Sequence, residues 1–510
     1  MLTPLDWIII AVYLLLMVAI GIACRGKQDS SADYFIAKGG LSGFFGSIII
    51  GLSIAATFFS GISFLAYPAI VYRYGLLITV AIPTFVVCWV VLRFYFLPRY
   101  VGAGWTRPYE VLEQAFGPHV RTVAAVMFIL LRIGWMATLI FAPTIAIMAA
   151  AGLDQKWFWP LVMIVGFTST VYTTLGGIRG VIITDAIQMI VIIGGIAITL
   201  IYIALKLPVP VSEVVSRLHD AGRLQLWEPA FSLTRPLTFW AVITGAFIAN
   251  MGSYVGDQMS LQRYLTSSSV AESSRSFLVN VIGVIIVILL LAAVGVALAG
   301  WYMIHGTQGL PASADQILPY FVARELPTGI AGLLLAAILA ATMSSITSGI
   351  NALAASLTFD FRDRSGGASD NPRRELLFAR IASLVIGTIA TLSAGLVAHL
   401  GQLFDISQRL FGLFLGPLAV ALLLSVSRLK IKSRFVIAGL IIGCLAGWFA
   451  ALSPNMAKTW DSIPAIDSLW VTPIASVITA IIALAGIRRT AALQPAGTSL
   501  GMDPAPQSQG

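Results

Sequence analysis

A run of small hydroxyl and amide side chains interrupts an otherwise apolar segment between residues 341 and 351. Ser344, Ser345, Ser348 and Asn351 stand there among Ala, Ile and Gly. On a helix, residues four apart share a face, so the three serine hydroxyls lie on one broad face. Polar oxygens in hydrocarbon are costly unless they are paired or bind something. Neutral oxygens suit a small, hard cation, although such residues also allow close helix packing.

Two apolar segments carry glycine, proline and hydroxyl residues at their centres. The first, at 42–72, contains Gly51, Gly61 and Pro68; the second, at 237–258, contains Gly245 and Gly252. Such residues permit a helix to unwind and turn its carbonyl groups toward a cavity. Matching interruptions in two halves of a chain are typical of an inverted-repeat transporter with its site at the membrane midplane. Close packing of glycines is the other explanation.

Arg132 lies about eleven residues into an apolar segment, roughly 16 Å along a helix. Burying an arginine there costs at least ~2.5 kcal/mol, so it should face a cavity or a partner. Its planar fork could hold a solute carboxylate, or it could pair with an acid or carbonyl group of the protein. Thr57, Ser60 and Asn250, on the interrupted segments, are further candidates for contact with a solute.

The elements that position these residues follow from composition. The 510 residues are 58% hydrophobic and 10% charged, with a mean hydropathy of +0.92. This predicts an all-α polytopic membrane protein, with about 13 spans of about 20 residues or more. The spans are expected at 5–24, 42–72, 77–97, 121–151, 157–176, 180–204, 237–258, 277–303, 327–357, 377–398, 403–427, 435–453 and 470–487. Four His and three Cys are scattered, which argues against a disulfide framework, a haem or a metal site built from their side chains.

Basic residues predict the orientation, because cytoplasmic loops are enriched in Lys and Arg. With the N-terminus outside, the inner loops hold most of the 31 basic residues, among them Lys27, Lys38, Arg121, Arg263 and Arg488. We therefore expect a multi-pass protein of the cell (inner) membrane with a cytoplasmic C-terminus. The net charge of +9 follows from this asymmetry, so no nucleic acid partner is required. The tail at 490–510 has a composition typical of disorder.

Several motifs resemble those of the sodium/solute symporter family. The first is Gly176-Gly177-Ile178-Arg179-Gly180 followed by Thr184-Asp185 and Gln188. The second is Asp257-Gln258 followed by Gln262-Arg263-Tyr264. Asp33-Tyr34-Phe35 and Thr106 to Glu110 are also similar to family segments, as is the hydroxyl run from Ala341. Ile178 and Gly180 depart from the usual residues of the family at positions not expected to touch ions.

The resemblance implies two inverted five-helix repeats, at 42–204 and 237–427. A leading helix and inner loop (1–41), an outer loop (205–236), two trailing helices (428–489) and the tail (490–510) complete the chain. It also implies a sodium site formed by the carbonyl groups of Ala56, Phe59 and Ala341 and the hydroxyls of Ser344 and Ser345. A possible second sodium has the ligands Asp185, Ser344, Thr347 and Ser348. Asp185 could instead be a helix-end residue that interacts with the helix dipole.

These features predict a sodium-coupled symporter, not an enzyme, that imports a small organic solute by alternating access. One branch of this family carries monocarboxylates, vitamins and other small anions. It is the branch most similar to this sequence in two stretches, Phe64 to Gly75 and Phe141 to Pro143. Sugars, amino acids, sialic acid and nucleoside-like solutes remain alternatives, as do a proton-coupled carrier and a transporter-like sensor. The expected partners are sodium ions, the solute and the lipid bilayer, with the oligomeric state left open.

Overall fold

The protein is all-α in the computed structural model, which describes residues 2–487 except 26, 27, 29, 37–40, 106, 363–370, 397–402, 428 and 461. In this part of the chain, ten helices are long and apolar enough to cross a membrane, and two shorter apolar helices accompany them. The multi-pass architecture is therefore confirmed, whereas the count of 13 spans stays a prediction. Lys27, Lys38, Thr106, Arg488 and the tail at 490–510 lie outside the described residues.

The first half of the chain forms helices that follow one another with short connections. They are α1 (Pro4–Cys24), α2 (Ser31–Ile36), α3 (Gly43–Phe58), α4 (Gly61–Tyr74), α5 (Ile82–Val91), α6 (Leu97–Tyr100), α7 (Glu110–Phe116), α8 (Pro118–Ala151), α9 (Phe158–Lys206) and α10 (Val211–Asp220).

The second half has a similar organisation. Its helices are α11 (Phe239–Met251), α12 (Gln258–Thr266), α13 (Val270–His305), α14 (Ile317–Arg324), α15 (Ile330–Ser356), α16 (Pro372–Ser393), α17 (Leu403–Ser425), α18 (Ser433–Met456) and α19 (Val471–Leu484).

Helix α9 is two helices joined at a break. Gly177 inside it has φ 56° and ψ −161°, outside helical geometry. Only glycine adopts this conformation readily, and a Cβ here would lie 2.9 Å from the carbonyl oxygen of Tyr34. At 1.5 Å per residue, 49 helical residues would extend about 74 Å, more than twice the hydrocarbon thickness. The break divides this length into two helices, close to the boundary predicted between the spans 157–176 and 180–204.

The first interrupted segment is broken where the sequence predicts. α3 ends at Phe58, and Phe59 takes an extended conformation with φ −89° and ψ 130°. Ser60 is also extended, and its hydroxyl accepts a hydrogen bond from the Ser63 N–H at the start of α4. Since the last carbonyl groups of a helix have no partner further along it, this break leaves main-chain oxygens available.

The second interrupted segment is broken near its C-terminal end. α11 ends at Met251, a π-helical turn follows over Gly252–Gly256, and Asp257 is extended with φ −87° and ψ 122°. The Asp257 carboxylate accepts the Met259 N–H at 3.0 Å and caps α12. Both halves of the chain therefore contain a helix pair separated by extended backbone, two residues in the first half and one in the second.

Helix α15 lies at the centre of the fold. In its most apolar stretch 89% of residues are buried, against 28% for α1. It packs against α9, α8, α1 and α3. Asp6 of α1 accepts the N–H groups of Gly329 and Gly332, both at 2.8 Å, and so satisfies donors at the start of α15. The hydroxyl run on α15 is therefore completely enclosed by protein.

Candidate functional site

The five oxygens predicted for the sodium site converge between α3 and α15. The Ser344 hydroxyl lies 2.9 Å from the Ala56 carbonyl oxygen and 3.0 Å from that of Ala341. The Ser345 hydroxyl lies 3.2 Å from the Phe59 carbonyl oxygen and 3.4 Å from that of Ala341. All five residues are at most 2% exposed. The structure thus brings together two segments almost 290 residues apart in sequence.

The helix break makes this convergence possible. The Phe59 N–H still bonds to the Ala55 carbonyl, but α3 goes no further, so later carbonyl groups lack helical donors. The Thr57 carbonyl also accepts from the Ser345 hydroxyl, at 3.0 Å. A sodium ion needs oxygens without a competing positive charge, and these neutral carbonyl and hydroxyl groups supply them. The chemistry of this donor set fits sodium, and the ligand set of Ala56, Phe59, Ala341, Ser344 and Ser345 stays a prediction.

A second polar cluster lies one helical turn away, around the buried carboxylate of Asp185. Its Oδ2 accepts from the hydroxyls of Ser53 at 2.8 Å, Thr57 at 3.2 Å and Ser348 at 3.3 Å. The Arg263 guanidinium lies 2.8 Å from the same oxygen, and both side chains are at most 1% exposed. Asp185 is therefore not a helix-end residue near a loop, because it is fully buried in an ion pair.

The Arg263 guanidinium donates hydrogen bonds to this cluster and to its own helix. Its Nε donates to the Ser53 hydroxyl at 2.9 Å, and one terminal nitrogen donates to Thr57 at 2.9 Å and Ser348 at 2.6 Å. The other terminal nitrogen donates to the Met259 carbonyl at 3.0 Å. The expectation that Arg263 is an inner-loop residue is wrong, because α12 carries it into the core. The Gln262-Arg263-Tyr264 motif could have marked Arg263 as a functional residue, but the count of basic residues placed it in an inner loop.

The four predicted ligands of a second sodium do not share one set of contacts. Asp185 and Ser348 meet, as described. The Thr347 hydroxyl donates to carbonyl groups of its own helix, Met343 at 2.9 Å and Ser344 at 3.2 Å. The Ser344 hydroxyl instead contacts the carbonyl groups of Ala56 and Ala341. The structure therefore divides this predicted set between two neighbouring regions of α15.

A cavity of about 130 Å³ lies beside these clusters, and we call it the central cavity. Thr57, Arg132 and Asn250 line it, together with Trp135 and Asp257. Asn250 donates to the Thr84 hydroxyl at 3.0 Å. Ser60 is buried as the N-cap of α4 and is not among the side chains that line the cavity. Three of the four residues predicted to contact solute thus share one space.

Arg132 forms an ion pair with Asp257, whose carboxylate also caps α12. The two side chains are 3% and 6% exposed. The Arg132 Nε is buried and makes no hydrogen bond to any described residue. A protein acid therefore partners this arginine, while one of its donors stays unsatisfied, which costs about 1–3 kcal/mol unless water or a solute supplies an acceptor. Asp257 was known from its motif, but its pairing with Arg132 was not predicted.

Comparisons with known proteins identify the family. The sodium:solute symporter family profile matches residues 34–443. The chain is 28% identical to the sodium/sialic acid symporter SiaT of Proteus mirabilis, covering 85% of this chain and 87% of that one. It is 29% identical to the human sodium-coupled monocarboxylate transporter 1, covering 88% of this chain and 72% of that one.

Solved structures show the same fold. A Na+-coupled sialic acid symporter in its substrate-bound outward-open state has a TM-score of 0.83 at 25% identity, over 94% of this chain and 97% of that one. A nucleobase-cation-symport-1 family transporter shares the fold more distantly, with a TM-score of 0.53 at 13% identity, over 89% of this chain and 93% of that one. The relatives in the family are sodium-coupled transporters, not enzymes. With its membrane helices and a profile match across most of its length, the chain belongs to the sodium:solute symporter family.

Proposed function

We propose that this protein imports a small organic solute together with sodium, by alternating access at the central cavity. The observation that carries the proposal is the convergence of five neutral oxygens, from Ala56, Phe59, Ala341, Ser344 and Ser345, at the break between α3 and α4. An ion bound there links α15 to the broken helix and so stabilises one arrangement of the two. Thr57 belongs to the same break and lines the central cavity, which couples ion binding to the solute site.

Uptake into proteoliposomes tests the coupling. With an inward sodium gradient, accumulation should exceed that with an equal potassium gradient, and a proton gradient without sodium should drive none. The energy available for solute accumulation is sufficient. A membrane potential of 100 mV contributes ~2.3 kcal/mol per charge, and a tenfold sodium gradient contributes about 1.4 kcal/mol. Accumulation driven by the proton gradient alone would replace this proposal with a proton-coupled carrier.

For the solute we propose a small organic anion, such as a monocarboxylate. Arg132 supplies a guanidinium at the cavity wall, and its buried Nε lacks an acceptor. The cavity volume of about 130 Å³ is below the ~300 Å³ at which pockets for drug-sized ligands begin. Sialic acid and monocarboxylates, the solutes in the names of the relatives, differ greatly in size, and this volume favours the smaller.

A neutral solute is the second candidate, because Asp257 already neutralises Arg132. A thermal-shift screen with lactate, pyruvate, sialic acid, glucose and proline, each with and without sodium, separates the two. Arg132→Lys retains the charge but loses the planar fork. It should raise the half-saturation concentration of an anion about tenfold or more and leave that of a neutral solute nearly unchanged. Stabilisation by neutral sugars alone, with Arg132→Ala transporting them normally, would contradict the anion proposal.

We further propose the orientation and repeats that the sequence suggested: about 13 spans, repeats at 42–204 and 237–427, an outside N-terminus and a cytoplasmic C-terminus in the cell membrane. A cluster of charged residues around Arg121 lies at the proposed cytoplasmic end. There Arg121 lies 2.7 Å from Glu113 and 2.6 Å from Asp360, which follows α15. This ties the first proposed repeat to the second. A reporter fused to the C-terminus, active only in the cytoplasm, tests the orientation.

The sodium stoichiometry follows from the Asp185 cluster. Since the Arg263 guanidinium lies on the Asp185 carboxylate, we propose that the first site binds the only sodium of this conformation. A second sodium at Asp185, Ser344, Thr347 and Ser348 requires that Arg263 withdraw during the cycle. The ratio of charge to solute moved by the reconstituted protein distinguishes these cases.

A further inference from the structure

A larger cavity borders the central cavity at one residue that lines both. The larger cavity has a volume of about 390 Å³, and we call it the mouth cavity. It is lined by Arg73 at the end of α4, Asp315 before α14 and Arg409 on α17. Leu469 lines both cavities and is only 3% exposed. Leu469 therefore lies in the wall between the mouth cavity and the cavity that Arg132 lines.

Leu469 belongs to the trailing helices and not to either proposed repeat. It lies in a short 3-10 turn, Ser468–Trp470, that leads into α19. Its own N–H donates to the Asp467 carboxylate at 3.1 Å, which caps the turn. The Asp467 N–H donates to the Leu233 carbonyl at 2.8 Å, and the Trp470 indole N–H donates to the Ser232 carbonyl at 2.9 Å. The turn is thus held by the loop that precedes α11.

The same turn packs directly on the second interrupted segment. A Cβ added to Gly245 of α11 would lie 2.6 Å from the Leu469 carbonyl oxygen and 3.2 Å from its Cβ. Only a residue without a side chain fits this contact. α11 also carries Asn250, which lines the central cavity. A movement of α11 must therefore either displace the turn that carries Leu469 or change the contact between Gly245 and Leu469.

We propose that Leu469 is the partition between the two cavities, and that it controls access of solute to the transport site. This rests on the orientation and transport activity proposed above. The mouth cavity is then the first place that solute occupies. Its two guanidinium groups and the carboxylates of Asp315 and Asp467 suit a small charged solute. A partition contributed by helices outside the repeats can differ between relatives without changing the ion site.

The test is cysteine labelling, which requires neither sodium nor a known solute. Ser63→Cys places a reporter in the central cavity, and Ser313→Cys places one in the mouth cavity. Of the native cysteines, Cys24 and Cys88 are buried, so only half-buried Cys444 is replaced by alanine in the background. A negatively charged, membrane-impermeant methanethiosulfonate reagent is added to the outside of right-side-out vesicles.

Leu469→Ala removes three carbons and should join the two cavities, since a core leucine truncated to alanine leaves a void. We expect it to raise the labelling rate at Ser63→Cys about tenfold, equivalent to about 1.4 kcal/mol in the free energy of opening. Labelling at Ser313→Cys should stay unchanged. Val471→Ala is the matched control, because Val471 is fully buried two residues further on and lines neither cavity.

An unchanged rate at Ser63→Cys in Leu469→Ala, or an equal rise with Val471→Ala, would overturn the proposal. Should Leu469→Ala fail to reach the membrane, Leu469→Val removes one carbon and should raise the rate in the same direction by about threefold. No rise with that variant would also overturn it. A failure of sodium-driven uptake would contradict the proposed transport function and leave the labelling result intact.

Discussion

Two polar regions lie one helical turn apart on α15, yet one is uncharged and the other contains an ion pair. At Ser344 and Ser345, hydroxyls meet main-chain carbonyl groups of the first broken helix. At Ser348, the hydroxyl meets a carboxylate, Asp185, and a guanidinium, Arg263. The first region offers oxygens without a formal charge of either sign, and the second contains both a negative and a positive charge.

The difference shows that oxygen-bearing side chains alone do not define a sodium site. A buried carboxylate must be paired, since an isolated charge in low dielectric is strongly unfavourable. At Asp185 the protein supplies the positive charge itself. At Ser344 and Ser345 the carbonyl dipoles have only weak hydroxyl donors, so a cation can improve the arrangement. We therefore expect sodium to act on the first region and the protein's own guanidinium to act on the second.

The largest effect should come from removing the guanidinium of the second region. Arg263→Gln leaves Asp185 without its partner, and breaking a buried pair in this way costs roughly 3–5 kcal/mol. We expect a large drop in the unfolding temperature, partly restored by sodium but not by potassium, because a free cation can then occupy the carboxylate. Thermal unfolding of the purified variant in each salt measures this. A stability equal to that of the natural protein would show that the pair is dispensable.

The second largest effect is expected in the first region, where the neutral oxygens converge. Ser345→Ala or Ser344→Ala removes one oxygen from the five, and the half-saturation concentration for sodium should rise about tenfold or more, or ~1.4 kcal/mol. Sodium-dependent uptake at saturating solute measures it, with surface expression as the control. If both variants show the same sodium dependence as the natural protein, sodium does not bind in this region.

Replacing both charged residues of the second region by neutral ones should have a smaller effect than either change above. Asp185→Asn combined with Arg263→Gln keeps side chains that can hydrogen-bond while removing both charges, so neither is left uncompensated. We expect a folded protein whose ratio of charge to solute is unchanged, because Arg263 and not a second sodium neutralises Asp185. Electrogenic transport by the reconstituted protein decides this. A ratio lower by one charge per solute would establish Asp185 as a sodium ligand.

The smallest effect is expected at Thr347, which lies between the two regions in sequence. Its hydroxyl bonds to the carbonyl groups of Met343 and Ser344 on its own helix. Thr347→Val keeps the side-chain volume and removes this bond, which contributes about 1 kcal/mol to stability. The half-saturation concentration for sodium should change less than twofold. A shift as large as that of Ser345→Ala would place Thr347 in an ion site and weaken the contrast between the regions.

The sequence predicts much of the first region because its determinants are local. Gly, hydroxyl and proline residues near Phe59 predict the helix break, and the break frees carbonyl groups of α3. The spacing of Ser344, Ser345 and Ser348 puts their hydroxyls on one face of α15. The family resemblance then pairs the two segments. The structure brings these groups together without any change to the predicted set.

The second region depends on contacts that no local pattern encodes. Arg263 is 78 residues from Asp185, and its long side chain could equally reach the membrane surface, where basic residues usually lie. Only the packing of α12 against α3 and α15 decides that it points inward. The same reason applies to Arg132, for which depth predicts a partner but only the tertiary structure selects Asp257.

The sequence by itself therefore determined the class of molecule, the interrupted helices and the neutral oxygens, because hydropathy, backbone preferences and helical spacing act over a few residues. The tertiary structure decided which charge neutralises which, and that Leu469, remote in sequence, lines the central cavity. Electrostatic pairing in low dielectric depends on distances of a few ångströms between side chains. Those distances are fixed only when helices far apart in the chain pack together.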